Sequence, residues 1–228
     1  MGRIVRFKAL LFDVGDTLLH VPGDSHKRAL ESVAHLGQVA LTEYKAAIAR
    51  AQSEWQAAGG LPEHEDLSET WVAHTMRALE MLEFSGDTAL AATLIEHSFL
   101  KDGWVLYADA SDVLAQLQHQ GFRLGVVSNW PPSLEATLEA VGLRDYFEVV
   151  VASGVVGYAK PHPQIFRMAL NEMGVEPGDT LFVGDKLNLD IEGAAAVGMH
   201  SVLIDRHGRM PEHQNRIASL RELLAYVA

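Results

Sequence analysis

The sequence predicts an α/β fold: a doubly wound parallel (Rossmann-like) sheet with an all-helical domain inserted into it. Three observations carry this expectation. Short continuous apolar runs rich in Val, Leu, Ile and Phe fall at 7–13, 123–128, 148–152, 180–184 and 200–204, the pattern of strands buried on both faces. Helical stretches at 110–120, 132–142, 162–174 and 188–198 alternate with them, as in parallel sheets built from crossover units. The first run, however, is followed by roughly 85 residues before the alternation starts, far beyond an ordinary connection of about 4–6 residues.

Taken in order, the first strand ends near residue 13. The segment 20–104 then shows no strand-like alternation and reads as four helices near 24–36, 41–58, 66–83 and 87–100. Leu41, Tyr44, Ile48, Ala51 and Trp55 form one apolar stripe, and Trp71, Met76, Leu79 and Leu82 suggest another; both are read as core packing. Beyond it, Gly121, Gly142, Gly174 and Gly198 each stand where a helix should stop, and a last helix is expected over 212–226. Residues 1–19 and 105–228 are therefore expected to form one α/β domain, and 20–104 a helical one.

Composition narrows the function. The chain has 228 residues, 48% of them hydrophobic, enough for a substantial core. A net charge of −12 argues against nucleic-acid phosphates as a target, because binding them needs a basic face. The absence of cysteine excludes disulfides, thiolate catalysis and Cys-based zinc sites. The start, MGRIVRFKALLFD, does not read as a signal peptide, and no apolar run is long enough to span a membrane, so a cytoplasmic protein without membrane partners is expected. Whether it is a monomer or a homodimer is not decided by sequence. The eleven histidines show no metal-ligand spacing, although His20, just past the first strand, could approach a site there.

Four separated stretches carry residues suited to phosphate chemistry: Asp13 in ALLFDVGDTLL, Ser128 in RLGVVSNW, Lys160 in GYAKPHPQIF, and Asp185 with Asp190 in LFVGDKLNLD. Three of them directly follow strand-like runs, and ligands of open α/β sheets bind outside the carboxyl ends of the strands. A carboxylate, a hydroxyl, an ammonium and two further carboxylates then share one crevice, suited to a divalent metal and a phosphoryl group. Asp13 is the candidate nucleophile, since a carboxylate can split one displacement into two through an aspartyl-phosphate. Mg²⁺ needs only one or two carboxylates beside water and substrate oxygens, and Asp13 and Asp185 fit.

The four stretches, in this order, resemble the motifs of the haloacid dehalogenase-like (HAD) hydrolases, and the resemblance covers nearly the whole chain. It implies that a backbone carbonyl two residues past the nucleophile, here Gly15, is the third protein ligand of Mg²⁺. It further implies that Ser128 and the backbone N–H of Asn129 hold a phosphoryl oxygen, that Lys160 neutralises nucleophile and phosphate, and that Asp190 holds Lys160. The helical insertion resembles the cap of the family's first cap class. The implied activity is Mg²⁺-dependent hydrolysis of a small phosphorylated metabolite.

One departure stands out. The family's nucleophile loop is usually Asp-x-Asp-Gly-Thr, whose second Asp serves as general acid and base. This chain has Gly15 there and Asp16 one place later. Asp16 either bends in to serve as the catalytic acid or only caps the turn. His162 stands where the Lys-Pro motif often has Asp, and Trp130 follows Ser128-Asn129, facing a leaving group or, more simply, packing its indole. Three alternatives stay open at this point. One is metal-independent 2-haloacid dehalogenation, in which the same aspartate attacks carbon. Another is phosphonate cleavage, which needs a Schiff-base lysine among Lys27, Lys45 and Lys101. The last is a non-catalytic phosphate-binding module.

Overall fold

The computed structural model describes residues 7–21, 27, 30, 31, 33, 36, 39–57, 67–84, 88–98 and 104–227. It divides into two compact units, one formed by Met1–His20 with Val105–Ala228 and the other by Val21–Trp104.

The first unit is built on strands β1 (Ala9–Phe12), β4 (Arg123–Ser128), β5 (Val149–Ala152), β6 (Thr180–Gly184), β7 (His200–Ile204) and β8 (Arg216–Ile217). They form one sheet in the order β5-β4-β1-β6-β7-β8, every pair parallel. The chain builds outward from β1 to β4 and β5, then crosses back to add β6, β7 and β8 on the other side. Phe12 lies opposite Val126 of β4 and Val183 of β6. This register brings Asp13, Ser128 and Gly184-Asp185 to the same edge of the sheet, where the strand order reverses.

Helices α4 (Ala110–His119), α5 (Leu134–Ala140), α6 (Ser153–Val156), α7 (Pro163–Met173), α8 (Glu192–Ala196) and α9 (Leu220–Tyr226) complete this unit. Helix α7 shows how the sequence dictates an element. Pro163 occupies its first turn, the His162 Nδ1 accepts the Gln164 N–H at 3.1 Å, and Gly174 ends it at φ 62°. Its buried residues Ile165, Phe166, Ala169, Leu170 and Met173 repeat at helical spacing and pack on Leu11, Val149, Val151 and Phe182. Gly125 permits this close approach: a Cβ there would lie 2.7 Å from Leu11 Cδ2 and 3.0 Å from Met173 Sδ.

Three expectations change. The helix predicted over 188–198 begins as a π-helical turn, Leu187–Ile191, before α8. The last helix is confined to α9, because residues ahead of it pair with β7 instead: Asn215 accepts the Leu203 N–H at 3.0 Å and Ile217 accepts the Asp205 N–H at 2.8 Å. Finally, a two-residue antiparallel pair, β2 (Leu19–His20) with β3 (Val105–Leu106), joins the points where the chain leaves and re-enters this unit.

In the second unit, α1 (Leu41–Ala57) packs against α2 (Leu67–Met81), and α2 against α3 (Thr88–Ser98). Tyr44, Ala51, Leu79 and Leu94 are buried, with Leu41, Ile48 and Leu82 packed against their clusters. Both predicted stripes are thus core stripes as far as they are described. The side chains of Trp55 and Trp71 and most of the helix predicted over 24–36 lie outside the described residues. No helix among the described residues is long and apolar enough to cross a membrane.

A buried ion pair ties the first unit together. Arg206, just past β7, donates to both Asp109 carboxylate oxygens at 3.0 and 3.1 Å and to the Thr17 carbonyl at 2.7 Å. Asp109 also accepts the Leu220 N–H at the start of α9, and the Arg206 guanidinium lies 3.7 Å from the centre of the Tyr107 ring. Removing one partner of such a pair strands the other charge. Asp109→Ala is expected to cost about 3–5 kcal/mol in urea unfolding; a loss below ~1 kcal/mol, the range of exposed pairs, would show that Arg206 finds water instead.

Candidate active site

Asp13 begins the first loop past β1. Its N–H donates to the Val183 carbonyl at 2.9 Å, which extends the β1–β6 ladder by one step and fixes where the side chain starts. The chain then wraps around the Val14 carbonyl, which accepts the Leu18 and Leu19 N–H groups, both at 2.9 Å. Inside this wrap Asp16 takes φ 56°, in the left-handed region, and its N–H donates to Leu19 O at 2.7 Å. Aspartate is among the few non-glycine residues that tolerate this conformation. Gly15 bridges to Leu19 in the same turn.

Two donors converge on one oxygen of Asp13. Ser128 Oγ, at the end of β4, donates to Oδ1 at 2.9 Å, and Lys160 Nζ donates to the same atom at 2.6 Å. Lys160 also donates to Asp190 Oδ1 at 2.6 Å, with its side chain 2% exposed. Burial works against the Lys160 ammonium, but the charges of Asp13 and Asp190 and their hydrogen bonds outweigh it, so its pKa stands above the ordinary lysine value. The Phe182 ring lies under Nζ, 5.3 Å from its centre.

Asp190 reaches this position because the π-helical turn aims it back toward the sheet. Its Oδ2 accepts the Lys186 N–H at 2.9 Å. The carboxylate lies so close to β6 that a Cβ on Gly184 would sit 2.5 Å from its Cγ, and only glycine fits. Asn129 anchors Lys160 from the other side: its Oδ1 accepts the Lys160 N–H at 2.7 Å and its Nδ2 donates to the Lys160 carbonyl at 3.0 Å. The Asn129 amide is thus spent on positioning, and only its backbone N–H is left for the binding role expected from sequence.

Carboxylate oxygens of Asp13, Asp185 and Asp190 lie within 4.8 Å of one another. Burial, then the Asp13 charge, pushes the Asp185 carboxyl up to about 7 against the pull of Lys186. With Asp16 included, four carboxylates face the two ammonium groups of Lys160 and Lys186, so two formal negative charges stay uncompensated in this network. An ammonium already acts as stand-in cation on Asp185: Lys186 Nζ donates to its Oδ2 at 2.5 Å. Oxygen donors with surplus negative charge suit a hard divalent cation.

The structure therefore brings together Asp13, Ser128, Lys160, Asp185 and Asp190, with Gly15 in the adjoining turn. Asp16 stands apart from the Asp13–Ser128–Lys160 network, its half-exposed carboxylate 3.9 Å from Lys186 Nζ. His20 does not join the site either and packs its ring against Tyr107, 4.6 Å between centres. Trp130 is buried and held by its backbone, its N–H donating to Ser153 Oγ at 3.0 Å. His162 performs the helix-capping task open to an aspartate at that place. Sequence reasoning missed Lys186, whose signal was its place beside Asp185 in the acidic motif. It also missed Arg206, for which no local pattern exists.

The profile of the haloacid dehalogenase-like hydrolases matches residues 7–198. The chain is 32% identical to haloacid dehalogenase-like hydrolase domain-containing protein 3 of Bos taurus, over 90% of this chain and 84% of that protein. It is 31% identical to a phosphoserine phosphatase of Thermus thermophilus, over 95% of this chain and 97% of that one. Its fold is similar to that of the putative HAD-hydrolase YfnB of Bacillus subtilis, solved bound to magnesium, with a TM-score of 0.77 at 23% identity over 97% and 99% of the two chains. On the matched profile and the shared length of these relatives, the chain belongs to the haloacid dehalogenase-like hydrolase family.

Proposed function

We propose that this hydrolase is a Mg²⁺-dependent phosphatase that removes phosphate from a small metabolite through an aspartyl-phosphate on Asp13. The observation that carries the reading is the convergence of Ser128 Oγ and Lys160 Nζ on Oδ1 of Asp13. Among the described residues no hydrogen bond reaches Oδ2, so that oxygen is presented for attack on phosphorus. When phosphate enters, Ser128 and the Asn129 N–H turn to a phosphoryl oxygen, while Lys160, locked by Asp190, neutralises charge on both nucleophile and phosphate. Such positioning and electrostatics carry most of phosphoryl transfer. Asp13, the Gly15 carbonyl and Asp185 would hold Mg²⁺, which when bound supplies charge neutralisation at the transferring phosphoryl group. That a Thermus relative is a phosphoserine phosphatase and that YfnB was solved with magnesium support the same reading. The Asp13 cluster offers recognition for phosphate and metal alone, so the choice of leaving group falls to residues outside it.

Dehalogenation by the same aspartate is the weaker reading. Attack on carbon needs no metal and gives no use to the excess carboxylate charge around Asp185. Asp13→Asn preserves shape and removes the nucleophile, so hydrolysis of a broad phosphoester panel is expected to fall to background. Retention of most activity would end the covalent mechanism, and halide release from a 2-haloacid in the presence of a chelator would favour dehalogenation.

The nucleophile loop shapes the substrate range. Asp16 holds the left-handed place that the family's pattern gives to glycine, and Gly15 the place it gives to the acid; the two have exchanged. Asp16 is therefore assigned to the turn. Without an acid at 15, good leaving groups are favoured, and wild type is expected to hydrolyse aryl or acyl phosphates better than alkyl phosphates beyond their intrinsic reactivity difference. The double exchange Gly15→Asp with Asp16→Gly is expected to raise kcat/KM for alkyl phosphates selectively, toward the ~10²–10⁴-fold that general acid help supplies. Loss of activity in Asp16→Asn, with no selective gain in the double variant, would make Asp16 the acid.

A further inference from the structure

The site holds two ammonium groups in opposite circumstances. Lys160 is sealed between Asp13 and Asp190, 2% exposed, and has no room to leave. Lys186 stands at the rim with about half its side chain exposed, while its partner Asp185 is only 12% exposed. Its Nζ lies 2.5 Å from Asp185 Oδ2 and 3.9 Å from Asp16 Oδ2. The Lys186 main chain is separately anchored, because its N–H donates to Asp190 and its carbonyl accepts the Asp190 N–H at 2.9 Å. The backbone is thus fixed while the four-carbon stem is free to turn.

We propose that Lys186 is a tethered counter-cation: it neutralises Asp185 while the metal is absent, competes with the divalent cation for that carboxylate, and so sets the metal concentration at which the site assembles. The inference rests on the metal-dependent reading above. Mg²⁺ binds carboxylate oxygens at about 2.0–2.1 Å in near-ideal octahedral geometry. An ammonium hydrogen-bonded to the same carboxylate would occupy one approach to it and repel the ion across a few ångströms. Binding therefore requires Nζ to swing away into water, which its half-exposed stem allows. Covalent tethering gives the ammonium a high effective concentration that no free monovalent ion matches. Metal-free protein accordingly keeps a neutralised Asp185, and affinity for the divalent ion is lowered by the cost of breaking this pair.

Titration calorimetry with Mg²⁺ on the full chain tests this, comparing wild type, Lys186→Met and Asp185→Asn. Methionine keeps an unbranched stem and removes the charge. Lys186→Met is expected to bind Mg²⁺ about tenfold or more tightly, to melt lower than wild type without metal, and to gain more in Tm when Mg²⁺ is added. Equal or weaker binding by Lys186→Met, while Asp185→Asn has lost binding, overturns the competition and leaves the metal site standing. Equal binding by Asp185→Asn and wild type removes the metal reading itself, and the competition with it. A second measurement needs no variant: limited acetylation read by peptide mass spectrometry. Lys186 of wild type is expected to react several-fold faster when saturated with Mg²⁺, because its ammonium has been released; unchanged or slower reaction overturns the proposal even if a variant fails to fold.

Discussion

The ammonium of Lys160 is the point on which the site depends. A charge this deeply buried is tolerated only where it is paired and hydrogen-bonded, and here the partners come from the segments that follow two different strands, a loop for Asp13 and a π-helical turn for Asp190. Asp13 follows β1 and Asp190 follows β6, while Lys160 lies on the connection after β5. Strand register, the amide of Asn129 and the glycine at 184 serve this single junction. Displace any of them and an unpaired charge is left in a dry place. The same junction is useful chemically, since a fixed positive charge costs no reorganisation when negative charge develops beside it.

Around that junction the loop after β1 is held from several sides. Arg206 fixes Thr17 by its carbonyl and covers Tyr107, whose N–H in turn donates to Leu18 O at 3.1 Å. Asp13 is therefore presented by a loop braced against a neighbouring strand end and against the short β2–β3 pair. With Asp16 placed in the turn by its backbone and Gly15 offering no side chain, the rigidity of this loop does not include a proton donor at position 15. The buried positive charge of the cluster lies beside Asp13, and position 15 adds no ionisable group to it.

The sequence announced the sheet well for a physical reason. Strands buried on both faces are continuous apolar runs, and 123–128, 180–184 and 200–204 are observed with those limits. Helix ends at Gly121, Gly142, Gly174 and Gly198 were legible because each adopts a positive φ. Two-residue strands such as β2, β3 and β8 carry no periodicity and exist only through partners distant in the chain. Of the site, the residues on strand-end motifs were legible by kind and order, and they do meet. Side-chain partnerships were not: the clamp of Asn129 on the Lys160 backbone and the Arg206–Asp109 pair span separations no local pattern encodes.

The π-helical turn at Leu187–Ile191 bears on how this chain can change over generations. Such a turn is an α-helical turn with one residue too many, and here that surplus residue aims Asp190 at Lys160 while its neighbours face elsewhere. Loss of a single codon between 187 and 189 would restore ordinary helical winding and carry Asp190 about 100° around the axis. The side chains of Leu187, Asn188 and Leu189 are thus open to exchange in a way that their number is not. Descendants of this protein should vary in spelling across the segment and agree in its length.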